Sequence, residues 1–210
     1  MFTIRIAARS SRRQAGRTLK TSGLVLAGGK SSRFGRDKSL ALIESRPLID
    51  FVIDALDHVA DEITIVGGDP QHALKREVAH IIDREEHAGP WIAMMSAADQ
   101  VSGDVLVFLP CDLPLLSAAS LERLKAEALL SGVAVAACDQ QRHWSVSAWR
   151  RERFNDAVHL ARDSGARSLH AAIEPVQPSF VAVEDKEMLN VNTIDDLAEA
   201  QRYLAHLKHD

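Results

Sequence analysis

The 210-residue chain is short of cysteine, of long apolar runs and of basic charge over most of its length, and each shortage excludes something. Two cysteines, Cys111 and Cys138, are too few for a disulfide framework and stand at no metal-ligand spacing. A reducing compartment, the cytoplasm, fits that usage. No stretch approaches the ~18 consecutive apolar residues of a membrane-spanning helix, and no long apolar h-region marks a secretory signal. Six of the 25 basic residues (Arg5, Arg9, Arg12, Arg13, Arg17 and Lys20) fall within residues 1–21, which hold no acid. The remainder keeps 19 basic residues against 29 acids, a balance of −10. A body that acidic is a poor general binder of nucleic acid, whose affinity comes largely from phosphate neutralisation.

What is present describes an ordinary globular protein. With 46% apolar and 26% charged residues, the length suits one domain with a proper core, expected over residues 22–210. The basic residues 1–21 read as a disordered lead, an upstream start or an Arg- and Ser-rich transit peptide, and composition leaves these open.

Short apolar runs alternate with helical patterns along the body. Strands are expected at Gly23–Ala27, Glu62–Val66, His80–Asp83, Asp104–Leu109, Val133–Cys138, Ser145–Trp149 and Phe180–Val183. Between Pro47 and Ala60, Leu48, Phe51, Val52, Ala55, Leu56 and Val59 form the stripe of a helix with one buried face. Ala118–Leu130 repeats the pattern after Ser117, an N-cap type, and a last helix follows Thr193. Alternating strands and helices predict an α/β fold, a doubly wound and mainly parallel sheet with helices on both faces. In such sheets ligands bind beyond the carboxyl ends of the strands.

LAGGKSSRFGRDKSL, Leu26–Leu40, follows the first strand and holds three glycines and four basic residues. It fits neither standard phosphate loop. The P-loop pattern needs a glycine five residues before Gly29, where Leu24 stands, and the adjacent Gly28 and Gly29 break the dinucleotide fingerprint. That spacing argues against a Rossmann-type oxidoreductase. Adjacent glycines still let backbone amides form an anion-binding concavity, and Arg33 and Lys38 add a planar fork and a point charge. A strand-to-helix turn with solvated basic residues is the plainer reading. Asp112 ends a continuously apolar strand, where a carboxylate is costly unless it pairs or binds a cation, although a loop or N-cap aspartate is common there. Asn190 and Asn192 precede the last helix, a position that suits capping and turn chemistry.

These stretches together resemble the signature of nucleotidyltransferases with a doubly wound fold, the nucleotide-diphospho-sugar transferase type. Within them the molybdenum cofactor guanylyltransferases, of the MobA type, match best. LAGGKSSRFGRDKSL resembles L-A-G-G-x-S-x-R-[FM]-G-x-D-K. Asp83 with Ala88-Gly89-Pro90 is similar to the D-x(n)-G-P-L element, Pro110-Cys111-Asp112-Leu113-Pro114 to the C-D-x-P metal motif, and Asn190-Val191-Asn192-Thr193 to N-V-N-T before the last helix.

The resemblance implies transfer of GMP from GTP to the terminal phosphate of molybdopterin or molybdenum cofactor, with Mg²⁺ and release of pyrophosphate. It places Leu26, Ala27, Gly28, Gly29, Arg33, Lys38, Asp83 and Asp112 at the nucleotide, with Arg33, Lys38 and Asp112 catalytic. It places Mg²⁺ on Asp112 and Asn192, and the acceptor at His143, Asn190 and Asn192. For Asp83 a plain loop-end role is the other reading. Passing contact with molybdoenzymes or cofactor carriers is a further implication. The chain departs from the pattern at Trp144, where proline is usual, at Val66-Gly67-Gly68-Asp69, where asparagine is common, and at Trp91-Ile92-Ala93. CTP in place of GTP, a sugar phosphate or other small phosphorylated acceptor, and a silent cofactor-delivering protein are the rival readings.

Overall fold

The computed structural model describes residues 18–27, 38–82 and 89–207. In chain order the elements are β1 (Thr21–Leu26), β2 (Leu42–Ile43), β3 (Arg46–Pro47), α1 (Leu48–Asp57), β4 (Glu62–Val66), α2 (Pro70–Arg76), β5 (Ala79–Ile81), α3 (Pro90–Ala98), β6 (Val105–Pro110), α4 (Ala118–Ser131), β7 (Val133–Cys138), β8 (Gln141–Arg150), α5 (Arg151–Ser164), α6 (Leu169–Ile173), β9 (Ser179–Ala182) and α7 (Ile194–Leu207). Seven strands form one sheet in the order β5-β4-β1-β6-β8-β7-β9. Every pairing is parallel except those of β8, which runs antiparallel to both β6 and β7. The expected fold class is therefore the observed one.

The continuously apolar strands are buried on both faces, as strands covered by helices on either side must be. Along β1 and β6, alternate residues feed two cores. Val25, Val105, Val107 and Leu109 pack with Val52 and Leu56 of α1 and Leu121 and Leu124 of α4. Leu24, Leu106 and Phe108 pack on the other face with Trp91 and Met94 of α3 and Phe154 of α5. Phe154 sits at the centre of the second core, its ring centroid 5.4 Å from Trp91, 5.3 Å from Phe108 and 5.3 Å from Trp149. A third, smaller cluster joins Ile43 and Leu48 to Val191 and Ala200, seating α7 on α1 and the β2–β3 hairpin.

Several expected boundaries shift. β1 begins at Thr21, not Gly23, and Lys20 is tied to the body by its amine on the Glu62 carboxylate and its amide on Asp104 Oδ2 at 3.0 Å. β5 ends at Ile81, short of the expected Asp83, and β6 runs Val105–Pro110 in place of Asp104–Leu109. β8 is ten residues long, twice the expected Ser145–Trp149, because its first half is polar and carries no strand pattern. Ser117 caps α4 as expected, its hydroxyl accepting from Ser120 N–H at 3.2 Å.

Candidate active site

The chain leaves β1 for β4 on one flank, moves outward to β5, and returns to β6 on the other flank of β1. Strand order thus reverses between β1 and β6, the switch point at which open α/β sheets form a crevice. Two hydrogen bonds set its floor. Ala27 N–H donates to Val66 C=O at 2.9 Å, and Cys111 N–H donates to Leu26 C=O at 3.2 Å. The loop that starts at Ala27 therefore leaves the sheet between the ends of β4 and β6. Leu26 and Ala27 bury their side chains, one in each main core, and the sheet takes up Leu26 C=O and Ala27 N–H.

Asp112 stands on the β6 side, half-buried, with Oδ1 shielded from solvent. Its neighbours Cys111 and Leu113 both pack into the core beneath α1 and α4. The Asp112 carbonyl accepts from Val191 N–H at 3.0 Å, and the Val191 side chain is buried in the third cluster. This bond brings Asn190 and Asn192, exposed on either side of Val191, beside Asp112. Asn192 Nδ2 donates to Asn190 Oδ1 at 2.9 Å. Capping of α7 belongs to other residues. Thr193 Oγ1 accepts from Asp196 N–H at 3.1 Å, while Asp196 Oδ2 accepts from the amides of Asn192 and Thr193, both at 2.8 Å. The two carboxamides therefore have no part in that reciprocal cap.

The segment leading to Asn190 is anchored by Glu187, which no sequence pattern marks. Its carboxylate is buried and accepts from Ser117 N–H at 2.9 Å, Ser120 Oγ–H at 2.7 Å and Glu184 N–H at 3.1 Å. Burial pushes its pKa up, but the hydrogen bonds from Ser117, Ser120 and Glu184 outweigh burial and hold it below the ordinary 4.5.

On the β4 side, Gly67 and Gly68 have φ of 76° and 69°, a consecutive left-handed pair that glycine adopts without penalty. Gly67 is held at both ends: its N–H donates to Ile81 C=O at 2.8 Å, and its C=O accepts from His80 Nε2–H at 2.9 Å. Gly67 is buried by these contacts, and Gly68 is exposed. Asp69 is committed to capping α2 through Gln71 N–H at 2.8 Å.

His143 lies in the first half of β8, opposite Ala136. Because β8 is antiparallel to β6, and their ladder ends at Phe108–Ser147, His143 and Asp112 both lie beyond that pair in the same direction. Burial lowers the imidazole pKa below the usual 6.5, opposed by the charge of Asp185, so the ring is neutral at neutral pH. Cys138 donates its thiol to Asp185 Oδ1 at 3.3 Å; burial, that bond and the nearby carboxylates raise its pKa. Gly28, Gly29, Arg33 and Asp83 lie outside the described residues, as does the side chain of Lys38, whose backbone opens a 3₁₀ turn at Lys38–Leu40.

This doubly wound fold is shared with solved nucleotidyl transferases. The structure of a nucleotidyl transferase from Methanothermobacter superposes with a TM-score of 0.73 at 18% identity, over 90% of this chain and 99% of that one. That of the molybdopterin-guanine dinucleotide biosynthesis protein A from Archaeoglobus fulgidus gives 0.68 at 20% identity, over 88% and 99%. The chain belongs to the MobA-like NTP transferase domain family, whose model matches residues 23–177. Among its relatives, the molybdenum cofactor guanylyltransferase of Xanthomonas euvesicatoria is 34% identical over 82% of this chain and 89% of its own length. The Haemophilus influenzae protein of the same name is 27% identical over 86% of this chain and 97% of its own.

Proposed function

We propose that the protein transfers GMP from GTP to the terminal phosphate of molybdopterin or molybdenum cofactor, forming the guanine dinucleotide cofactor and pyrophosphate. The observation that carries this reading is the junction at the switch point. There backbone hydrogen bonds tie the end of β1 at Leu26–Ala27 to β4 and to Cys111 after β6, and tie Asp112 to Val191 between Asn190 and Asn192. Relatives named molybdenum cofactor guanylyltransferase support the choice of base and acceptor.

The chemistry is in-line displacement: an acceptor phosphate oxygen bonds to the α-phosphorus as the bond to pyrophosphate breaks. The acceptor is already an anion at neutral pH, so alignment and charge neutralisation matter more than a general base. Arg33, Lys38 and the amides of Gly28 and Gly29 are assigned to the triphosphate, with Asp83 assigned to holding the nucleotide or orienting the loop. His143, neutral at working pH, and Asn190 are assigned to the acceptor. A hard-oxygen set, the partly buried Asp112 carboxylate and the adjacent Asn192 carboxamide, suits Mg²⁺, which takes one or two carboxylates plus substrate phosphates. When bound there, Mg²⁺ neutralises phosphate charge and eases departure of pyrophosphate.

On this reading residues 22–210 act as one cytoplasmic catalytic domain that hands its product to a carrier or molybdoenzyme. Among the described residues no helix is long and apolar enough to cross a membrane. Incubating the protein with molybdopterin and each of the four nucleoside triphosphates, and following pyrophosphate and the dinucleotide product by mass spectrometry, tests the reading. GTP is expected to be used best. Turnover with CTP alone, or only with a sugar phosphate as acceptor, replaces it with the corresponding rival. Binding of nucleotide and cofactor without pyrophosphate release makes the protein a carrier.

A further inference from the structure

The β7–β8 ladder breaks where β8 approaches the crevice. Val135 pairs with Ser147, but the next residue, Ala136, pairs with His143, so Trp144, Ser145 and Val146 have no partner on β7. Bulges of this kind are common beside active sites, where they re-aim a side chain. Here they send Val146 into the core beneath α1 and α4, and Trp144 to the opposite face, against the core beneath α3 and α5. The bulge lies beyond the last β6–β8 pair, in the direction Asp112 also takes.

Trp144 gathers a small surface around it. His170 of α6 and Phe180 of β9 meet it edge-on, with centroids at 5.1 and 6.0 Å and interplanar angles of 68° and 82°. The Arg142 guanidinium lies 4.4 Å from the Phe180 centroid and 5.8 Å from that of Trp144, and its Nη1 donates to both Glu174 oxygens at 3.0 and 3.1 Å. Among the described residues no ring lies parallel to Trp144. Phe180 is 41% exposed, while Trp91, Trp149, Phe108 and Phe154 are all at 1% or less. A half-buried tryptophan packed against the core, with an exposed phenylalanine and a fixed guanidinium beside it and no parallel ring partner, has the make-up of a stacking platform for a flat heterocycle.

We propose that this platform holds the planar ring system of the acceptor, a pterin, by stacking on Trp144, with Arg142 beside it, while the acceptor phosphate reaches toward Asp112. The proposal rests on the transfer reaction described above and adds the acceptor's ring site. Trp144, where the family pattern has proline, is on this view a substrate-binding residue particular to this chain. The competing role is structural: the cluster pins the edge strand β9 to β8 and nothing more.

Steady-state kinetics on Trp144→Leu, Trp144→Phe and the unmodified protein separate the two. The leucine variant is expected to raise the KM for molybdopterin about tenfold, the size of one lost base–aromatic stack, with the KM for GTP unchanged and the variant still folded. The phenylalanine variant keeps most of the affinity. A second measurement uses the burial of the other two tryptophans: free pterin quenches tryptophan fluorescence in the wild type and not in Trp144→Leu. If the leucine variant does not fold, Arg142→Met serves, with a rise of at least roughly threefold expected in the acceptor KM. An unchanged acceptor KM in a folded variant of a protein that turns over molybdopterin overturns this proposal alone. A wild type that neither uses molybdopterin nor responds to pterin overturns it together with the proposed function.

Discussion

The two halves of the sheet are built differently. The β5-β4-β1-β6 half is entirely parallel, made of strand–helix–strand units, and carries Ala27, Gly67–Gly68 and Asp112 just beyond the carboxyl ends of its strands. The β8-β7-β9 half contains the antiparallel strand and the bulge, and offers side chains: His143, Trp144 and Arg142. A repeated unit with glycine at the strand ends suits the common part of a reaction, a triphosphate. An irregular half with aromatic and basic side chains suits the part that differs between enzymes, the acceptor. On the proposed reading, phosphate handling belongs to topology, while acceptor choice belongs to local irregularity.

The strongest way to break that division is to remove what joins the halves. Phe154 touches Trp91 of the first half, Phe108 of the junction strand and Trp149 of the second. Phe154→Ala is expected to cost about 3–5 kcal/mol. A single, shifted transition in thermal and urea unfolding shows that the halves fold together, whereas two transitions would show that the division extends to stability.

Asp112→Ala and Lys38→Ala sharpen the same contrast on the nucleotide side. Each is expected to lower kcat by about 10²–10³, near 2.7–4 kcal/mol of transition-state stabilisation, with the melting temperature of a folded variant kept. Near-wild-type turnover in both removes the catalytic assignment of this half.

A smaller and pH-dependent effect is expected from Glu187→Gln. Because the folded pKa lies below the ordinary 4.5, the carboxylate's contribution is fully present above that value. It is lost as pH falls through the lowered folded pKa. The variant is expected to lose about 1–3 kcal/mol at neutral pH and to show a flatter decline below pH ~4.5. Urea midpoints measured across the acid range check this; parallel profiles for the two proteins would remove Glu187 from the anchor.

The parallel half was readable from the sequence for a physical reason. Strands buried on both faces must be continuously apolar, so Leu24–Leu26, Ile63–Val66 and Val105–Leu109 declare themselves, and the one-sided stripe of α1 does the same. The other half was not. The first residues of β8, Gln141, Arg142 and His143, are exposed or half-buried and polar, so neither the strand's length nor its three-residue irregularity leaves a pattern. At the candidate site, Asp112 and the asparagines were visible as motifs, but their meeting depends on a bond between Val191 and Asp112 that spacing cannot disclose. Glu187 looked like any surface acid because its partners Ser117 and Ser120 are distant in sequence.

The bond from Val191 to Asp112 also orders events during synthesis. Thr21 through Asp112 can leave the ribosome and pair β1 with β4 and β6 well before residue 191 is made. Such a nascent chain already presents the crevice floor but lacks Asn190 and Asn192, which arrive with the segment that precedes α7. A chain stalled or cleaved before Asn190 therefore lacks the segment that pairs with Asp112.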